Sequence, residues 1–194
     1  MIIDEVRVEY FEKSISSMYK KALTEFKNQA NAMVSMIEYG TIIFDKNGKI
    51  KILQEYVHQL YSLPMPCIDE EHAKELVAII NNFFDNLKKC IETNDLYSVH
   101  IFHLTLERIK DFYFSYYGLP GVVRTKALKT MLNDGYRNAI KKENPPQEFI
   151  ELYLKCLDES VPIYERFTNL QELFEYSTKD IQFDKNNFRI RVKK

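Results

Sequence analysis

The sequence predicts a mainly α protein: a small N-terminal α/β part with two strands, followed by an antiparallel helical bundle. Three observations carry this. The stretch Ser98 to Tyr117, read at 100° per residue, gathers Val99, Ile101, Phe102, Leu106, Ile109, Phe112, Tyr113, Tyr116 and Tyr117 on one wide arc. His100, His103, Glu107, Arg108, Lys110, Asp111 and Ser115 fall on the other, with only Leu104 and Phe114 crossing the division. An apolar arc this broad belongs to a helix with several neighbours, which makes it the centre of a bundle. Second, the 194 residues contain only 5 Gly and 6 Pro, too few for the many turns of a β sandwich. Third, strand-like patterning is concentrated in the first sixty residues.

Taken in order, residues 2–11 alternate as a strand, with Ile3, Glu5, Arg7, Glu9 and Phe11 on one face and Val6, Val8 and Tyr10 on the other. Ser14 is placed to cap a helix running to about Glu38, striped by Met18, Ala22, Phe26, Ala30, Met33 and Ile37 and closed by Gly40. Thr41-Ile42-Ile43-Phe44 reads as a second strand and Asp45 to Lys49 as a turn. Ile50 to Tyr61 returns to helix with Ile52, Tyr56 and Leu60 on one side.

The run Ser62-Leu63-Pro64-Met65-Pro66 is the strongest boundary in the chain, because a residue before proline is pushed out of the helical region. It separates residues 1–63 from a helical bundle over 69–178. Asp69 is placed to cap a helix from Glu70 to about Thr93, with Leu76, Ile79, Ile80, Phe83, Phe84 and Leu87 inward. Asn94-Asp95 leads into the central helix, which Gly118-Leu119-Pro120-Gly121 stops. Further helices are expected at Arg124–Leu132, Tyr136–Lys142, Gln147–Leu157 and Ile163–Tyr176, separated by Asn133-Asp134-Gly135, Asn144-Pro145-Pro146 and Pro162. Residues 179–194 form a polar, basic tail.

Composition narrows the function. Hydrophobic residues make up 45% of the chain, enough for a real core rather than a disordered segment. The net charge of −1 argues against a broad phosphate-backbone binder of nucleic acid. Cys67, Cys90 and Cys156 are far apart and contain no C-x-x-C pair, so neither a zinc ribbon nor a redox motif is indicated. Charges from position 4 leave no apolar signal core, and no run approaches the roughly 18 apolar residues of a membrane span. The expectation is a soluble, cytoplasmic protein.

The run TIIFDKNGKIKIL, the proline-marked boundary, a long helix, and then LERIKDFYFSYYGLP together resemble the latter half of bacterial nucleotidyltransferases of the minimal and aminoglycoside-modifying type. In that family an α/β catalytic domain precedes a bundle similar to the HEPN and kanamycin nucleotidyltransferase C-terminal class. The resemblance spans about residues 2–160 and is one of pattern. It implies transfer of a nucleoside monophosphate from a triphosphate to a hydroxyl acceptor such as an aminoglycoside. A Gly-Ser turn would hold the triphosphate, and an Asp-x-Asp pair with a third carboxylate would hold Mg²⁺. Here the chain departs from the family: it contains neither a Gly-Ser dipeptide nor Asp-x-Asp. What matches is the third carboxylate, which the resemblance places at Glu9 in a catalytic position; the bland reading of Glu9 is a charge on a half-exposed strand face. The chain then reads as beginning after the first catalytic motif, with ATP and Mg²⁺ relevant only if an upstream segment or a partner chain supplies the missing half.

The resemblance also assigns Glu107, Arg108 and Asp111 to the acceptor cleft, where carboxylates suit a cationic substrate. The bland reading of the same residues is an exposed charged stripe. His100, His103 and Glu107 share a helix face at metal-compatible spacing, but a solvated face with a His103–Glu107 pair explains them better. HEPN ribonucleases carry an Arg followed four to six residues later by His, a spacing this chain lacks. Arg124, Lys126 and Lys129, and the C-terminal Arg189, Arg191, Lys193 and Lys194, read as solvent-facing cations. A second functional expectation stands beside the enzyme: a non-catalytic HEPN-like binding or dimerisation module, as a homodimer or beside a nucleotidyltransferase chain.

Overall fold

In the computed structural model of the chain, the described residues are 2–3, 6–7, 12–28, 32–119, 131–133 and 145–183. The chain divides into two compact units, residues 1–65 and 66–194. Both are helical in their described parts, as a mainly α chain requires.

Among the described residues, the first unit holds three helices: α1 (Ile15–Lys27), α2 (Ala32–Tyr39) and α3 (Lys49–Ser62). Ser14 begins α1 as expected, its hydroxyl accepting from the Ser17 N–H at 3.2 Å. The single helix expected from Ser14 to Glu38 is instead two. Asn28 closes α1, and the buried carboxylate of Glu25 accepts from the N–H groups of Met33 at 2.9 Å and Val34 at 3.2 Å. Those are donors that a continuous helix would spend on its own carbonyls. The far end of α2 is held in a matching way. The Gln54 amide of α3 donates to the carbonyls of Ile37 (2.9 Å), Glu38 (3.2 Å) and Gly40 (3.1 Å). A Cβ on Gly40 would lie 2.3 Å from the Met36 carbonyl oxygen, so only glycine fits there.

The strand expected at Thr41–Phe44 is absent: these residues form an irregular loop. After it Gly48 takes φ 67°, in the left-handed region, and Asp45 Oδ2 accepts from the Ile50 and Lys51 N–H groups, both at 3.0 Å, starting α3. The buried stripe of α3 is Leu53, Val57 and Leu60, and Ile52 faces outward, a correction of the expected Ile52–Tyr56–Leu60 side. These residues join Ala22, Phe26, Val34 and Ile37 in one core. Most of the strand expected over 2–11 lies outside the described residues. Within it, β1 (Ile2–Ile3) and β2 (Val6–Arg7) pair antiparallel with each other, Ile3 opposite Val6.

The second unit contains α4 (Glu70–Glu92), α5 (Ser98–Tyr116), α6 (Gln147–Leu157) and α7 (Ile163–Thr178). Asp69 caps α4 through the His72 N–H at 2.8 Å. A tight turn follows, in which Asn94 adopts φ 52°, a conformation asparagine tolerates better than most residues. Helix α5 packs on both α4 and α7, and α6 packs on α7. Phe102, Leu106, Ile109, Phe112 and Tyr113 of α5 are buried, but so are Thr105, Lys110 and Phe114 outside the expected apolar arc. Thus burial on α5 spreads beyond the expected arc, while Val99 on that arc is exposed, and α7, which packs on α4, α5 and α6, shares the central place expected for α5. Fully burying a side chain of this size contributes about 1.5–3 kcal/mol. Tyr113 stacks on Phe149 of α6 with centroids 4.1 Å apart, and Phe84 of α4 meets Phe174 of α7 at 5.1 Å. The helices expected at Arg124–Leu132 and Tyr136–Lys142 lie outside the described residues, apart from helical Met131–Leu132. The basic tail beyond Phe183 lies outside them too. Among the described residues, no helix is long and apolar enough to cross a membrane.

Candidate functional site

Of the residues singled out in the sequence, Glu107, Lys110 and Asp111 come together, but around a buried centre. Lys110 is 2% exposed. Its ammonium pairs with Glu107 Oε2 one turn earlier and lies 3.4 Å from Asp111 Oδ1. Glu107 Oε1 accepts from the Tyr153 hydroxyl of α6 at 3.0 Å. The expectation that Lys110 faces solvent is therefore corrected. Its long apolar stem packs into the bundle, and the cost of burying its charge is offset by two carboxylates. Burial first, and the Glu107 carboxylate second, push the Tyr153 hydroxyl well above the ordinary tyrosine range. This network ties α5 to α6 from within.

Arg108 points elsewhere, its guanidinium 5.5 Å from the centre of the Phe83 ring. Arg108 and Asp111 flank a groove between α4 and α5, floored by Leu76, Ile79, Ile80 and Phe112, with a volume near 90 Å³. That is below the roughly 300 Å³ at which small-molecule sites begin. Glu9 lies outside the described residues. His100 is exposed, the His103 ring lies 5.6 Å from that of Phe102, and no group of three His, Cys, Asp or Glu able to hold a metal occurs among the described residues. The Arg124, Lys126 and Lys129 cluster and the C-terminal cations fall outside the described residues.

At the C-terminal end of α5 lies an open cleft of about 710 Å³, lined by Ile68, Glu70, Tyr116, Tyr117, Asp180 and Gln182. The Tyr116 and Tyr117 rings stand 5.0 Å apart at 84° to each other. The Tyr117 hydroxyl donates to Asp180 Oδ2 at 2.6 Å. Burial and that hydrogen bond raise the Tyr117 hydroxyl above its usual range, so it stays a donor at neutral pH. Glu70 carries an ion pair with Lys74 of its own helix. Neighbouring Tyr113 touches both Tyr117 (4.5 Å) and Tyr176 (6.1 Å), and the Lys179 ammonium sits 4.2 Å over the Tyr176 ring. By periodicity Tyr116 and Tyr117 fall on the apolar arc as core residues, and by composition Asp180 belongs to the polar tail. The available signal was the choice of tyrosine over phenylalanine at the helix end, since a phenol pairs a ring face with a polar tip.

A third feature belongs to the first unit. In the loop after Gly40, Ile43 is 96% exposed and Phe44 76%. Among the described residues, no hydrogen bond reaches Thr41, Ile42, Ile43 or Phe44.

Comparison with protein-family models, with curated proteins and with solved structures finds no match to this chain.

Proposed function

We propose that this chain is a non-catalytic binding module that pairs with a second copy of itself through the segment Thr41–Phe44. The observation that carries the reading is the state of that segment. Four residues of high strand propensity lie side by side with no hydrogen bond among the described residues, and the Ile43 and Phe44 side chains stand in water. Such a segment is a template for strand addition, in which a second strand supplies the missing backbone partners and covers the side chains. Antiparallel pairing of two copies meets this need symmetrically, because the same patch serves both sides. Burying Ile43 and Phe44 from each copy offers about 6–12 kcal/mol gross. Association costs about 4–15 kcal/mol. The expected dimer is therefore weak and concentration-dependent. In this reading the nucleotidyltransferase likeness describes a partnership: ATP, Mg²⁺ and any aminoglycoside-like acceptor belong to whatever supplies the Gly-Ser and Asp-x-Asp motifs.

Sedimentation of the full chain over a wide concentration range tests this. The expected result is a shift from 23.1 kDa to twice that mass, lost in an Ile43→Asp/Phe44→Asp variant. Both positions are exposed, so the fold should tolerate the changes. A chain monomeric at every concentration overturns the proposal, as does a variant that dimerises equally well. Binding of MgATP that disappears in Glu9→Gln favours the transferase reading instead.

A further inference from the structure

We propose that the cleft at the C-terminal end of α5 binds a small organic cation of the alkylammonium class, with methylated or quaternary nitrogen preferred. Tyr116 and Tyr117 line the cleft with their rings 5.0 Å apart and nearly perpendicular, at 84°. An aromatic ring face carries the negative end of its quadrupole and attracts a positive charge, and both tyrosines border the cleft. The same cluster already hosts a cation, because the Lys179 ammonium lies 4.2 Å over the Tyr176 ring.

The polar groups agree. Among the described residues, the cleft is lined by two carboxylates and no Lys or Arg. Glu70 is engaged by Lys74, which leaves Asp180 as the carboxylate that no cation of the described residues reaches. Asp180 is held by the Tyr117 hydroxyl at 2.6 Å, so its position against the aromatic wall is set before any ligand arrives. Ring faces plus a carboxylate oriented beforehand attract charge without depending on hydrogen bonds from the ligand's nitrogen. A strongly hydrated primary ammonium needs three acceptors, whereas an alkylated one needs almost none. The volume of about 710 Å³ falls within the range of small-molecule sites.

The test compares choline and tetramethylammonium with 3,3-dimethylbutan-1-ol, which has the shape of choline without its charge. Titration calorimetry or ligand-observed NMR on the full chain reads the binding. The expected result is millimolar or tighter binding of both cations and at least tenfold weaker binding of the neutral alcohol. Asp180→Asn should weaken choline at least fivefold. Tyr116→Leu should do the same, while Tyr116→Phe retains binding because the ring face remains. Circular dichroism checks that each variant keeps its helices. Asp180 is exposed, so Asp180→Asn remains informative even if Tyr116→Leu fails to fold. Equal affinity for the neutral isostere, or undiminished binding by Asp180→Asn, overturns the proposal. So does the absence of choline binding at tens of millimolar.

Discussion

Lys110 and Glu107, one turn apart on α5, form an ion pair inside the second unit, and the second oxygen of Glu107 is taken by the Tyr153 hydroxyl from α6. Helix spacing alone brings two such residues together; the burial of Lys110 and the Tyr153 hydroxyl from α6 turn a surface pair into a structural one. Breaking a buried pair from one side costs about 3–5 kcal/mol, because the remaining charge stays in a poor environment. Glu107→Ala should therefore lower stability by about that amount in urea unfolding. Lys110→Met combined with Glu107→Gln should recover most of the loss. A loss below about 1 kcal/mol in Glu107→Ala would match an exposed pair instead.

Helix α2 is held at both ends by side chains from its neighbours, Glu25 at its start and Gln54 at its end. Eight residues is too short for a helix to persist alone. Glu25→Ala should cost about 1–3 kcal/mol, since it leaves backbone donors without a partner. Hydrogen exchange should show the Met33 and Val34 amides losing protection first. Gln54→Ala should act from the other end, with a cost of about 0.5–1.5 kcal/mol.

The three cysteines differ in reach. Cys67 is exposed, Cys90 half-buried and Cys156 buried. Burial pushes the Cys156 thiol up from 9.0 to about 12, with the Arg166 charge opposing the rise. A disulfide reagent at pH 8 should label Cys67 fastest and Cys156 only after denaturation. Rapid labelling of Cys156 in the native protein would mean that α6 opens readily.

Alkaline pH should unfold the protein through the same burial. Cys156, Tyr113, Tyr117 and Tyr153 all have native ionisation raised above their ordinary values of 9.0 and 10.0. The unfolded chain then releases protons first, so the stability these groups contribute is complete below about pH 9 and is lost as pH rises from there. Each group adds a slope of about 1.4 kcal/mol per pH unit. Tyr153→Phe should cost about 1 kcal/mol at neutral pH, by removing the hydrogen bond to Glu107, yet show a shallower decline above pH 10. An unchanged slope in that variant would mean that Tyr153 ionises as freely in the native state as in the unfolded chain.

Much of the helical layout was legible in the residues alone. Ser14 and Asp69 at helix starts, Gly40 after Tyr39, and Pro146 and Pro162 before α6 and α7 act within one or two turns of chain. Their effect depends on local donors, acceptors and torsion angles, which sequence spacing reveals. The broad buried face of α5 was legible for the same reason, since its apolar arc was too wide for a helix with one neighbour.

What only tertiary structure decided were the cases in which a distant residue competes with a local preference. Thr41 to Phe44 have strand propensity, but a strand requires a partner, and among the described residues none is bonded to them. The chain from Ser14 to Glu38 has helical periodicity throughout, yet Glu25 folds back onto the amides of Met33 and Val34 and two helices result. Lys110 lies on the polar arc by periodicity, yet it is buried, and Glu107 together with Asp111 makes that burial tolerable. Tyr117 and Asp180 are 63 residues apart, and only the packing of α7 beside α5 brings them together at the cleft. Periodicity reports which side of a helix is apolar. It carries no record of which neighbour covers the rest, because that depends on contacts between residues remote in the chain.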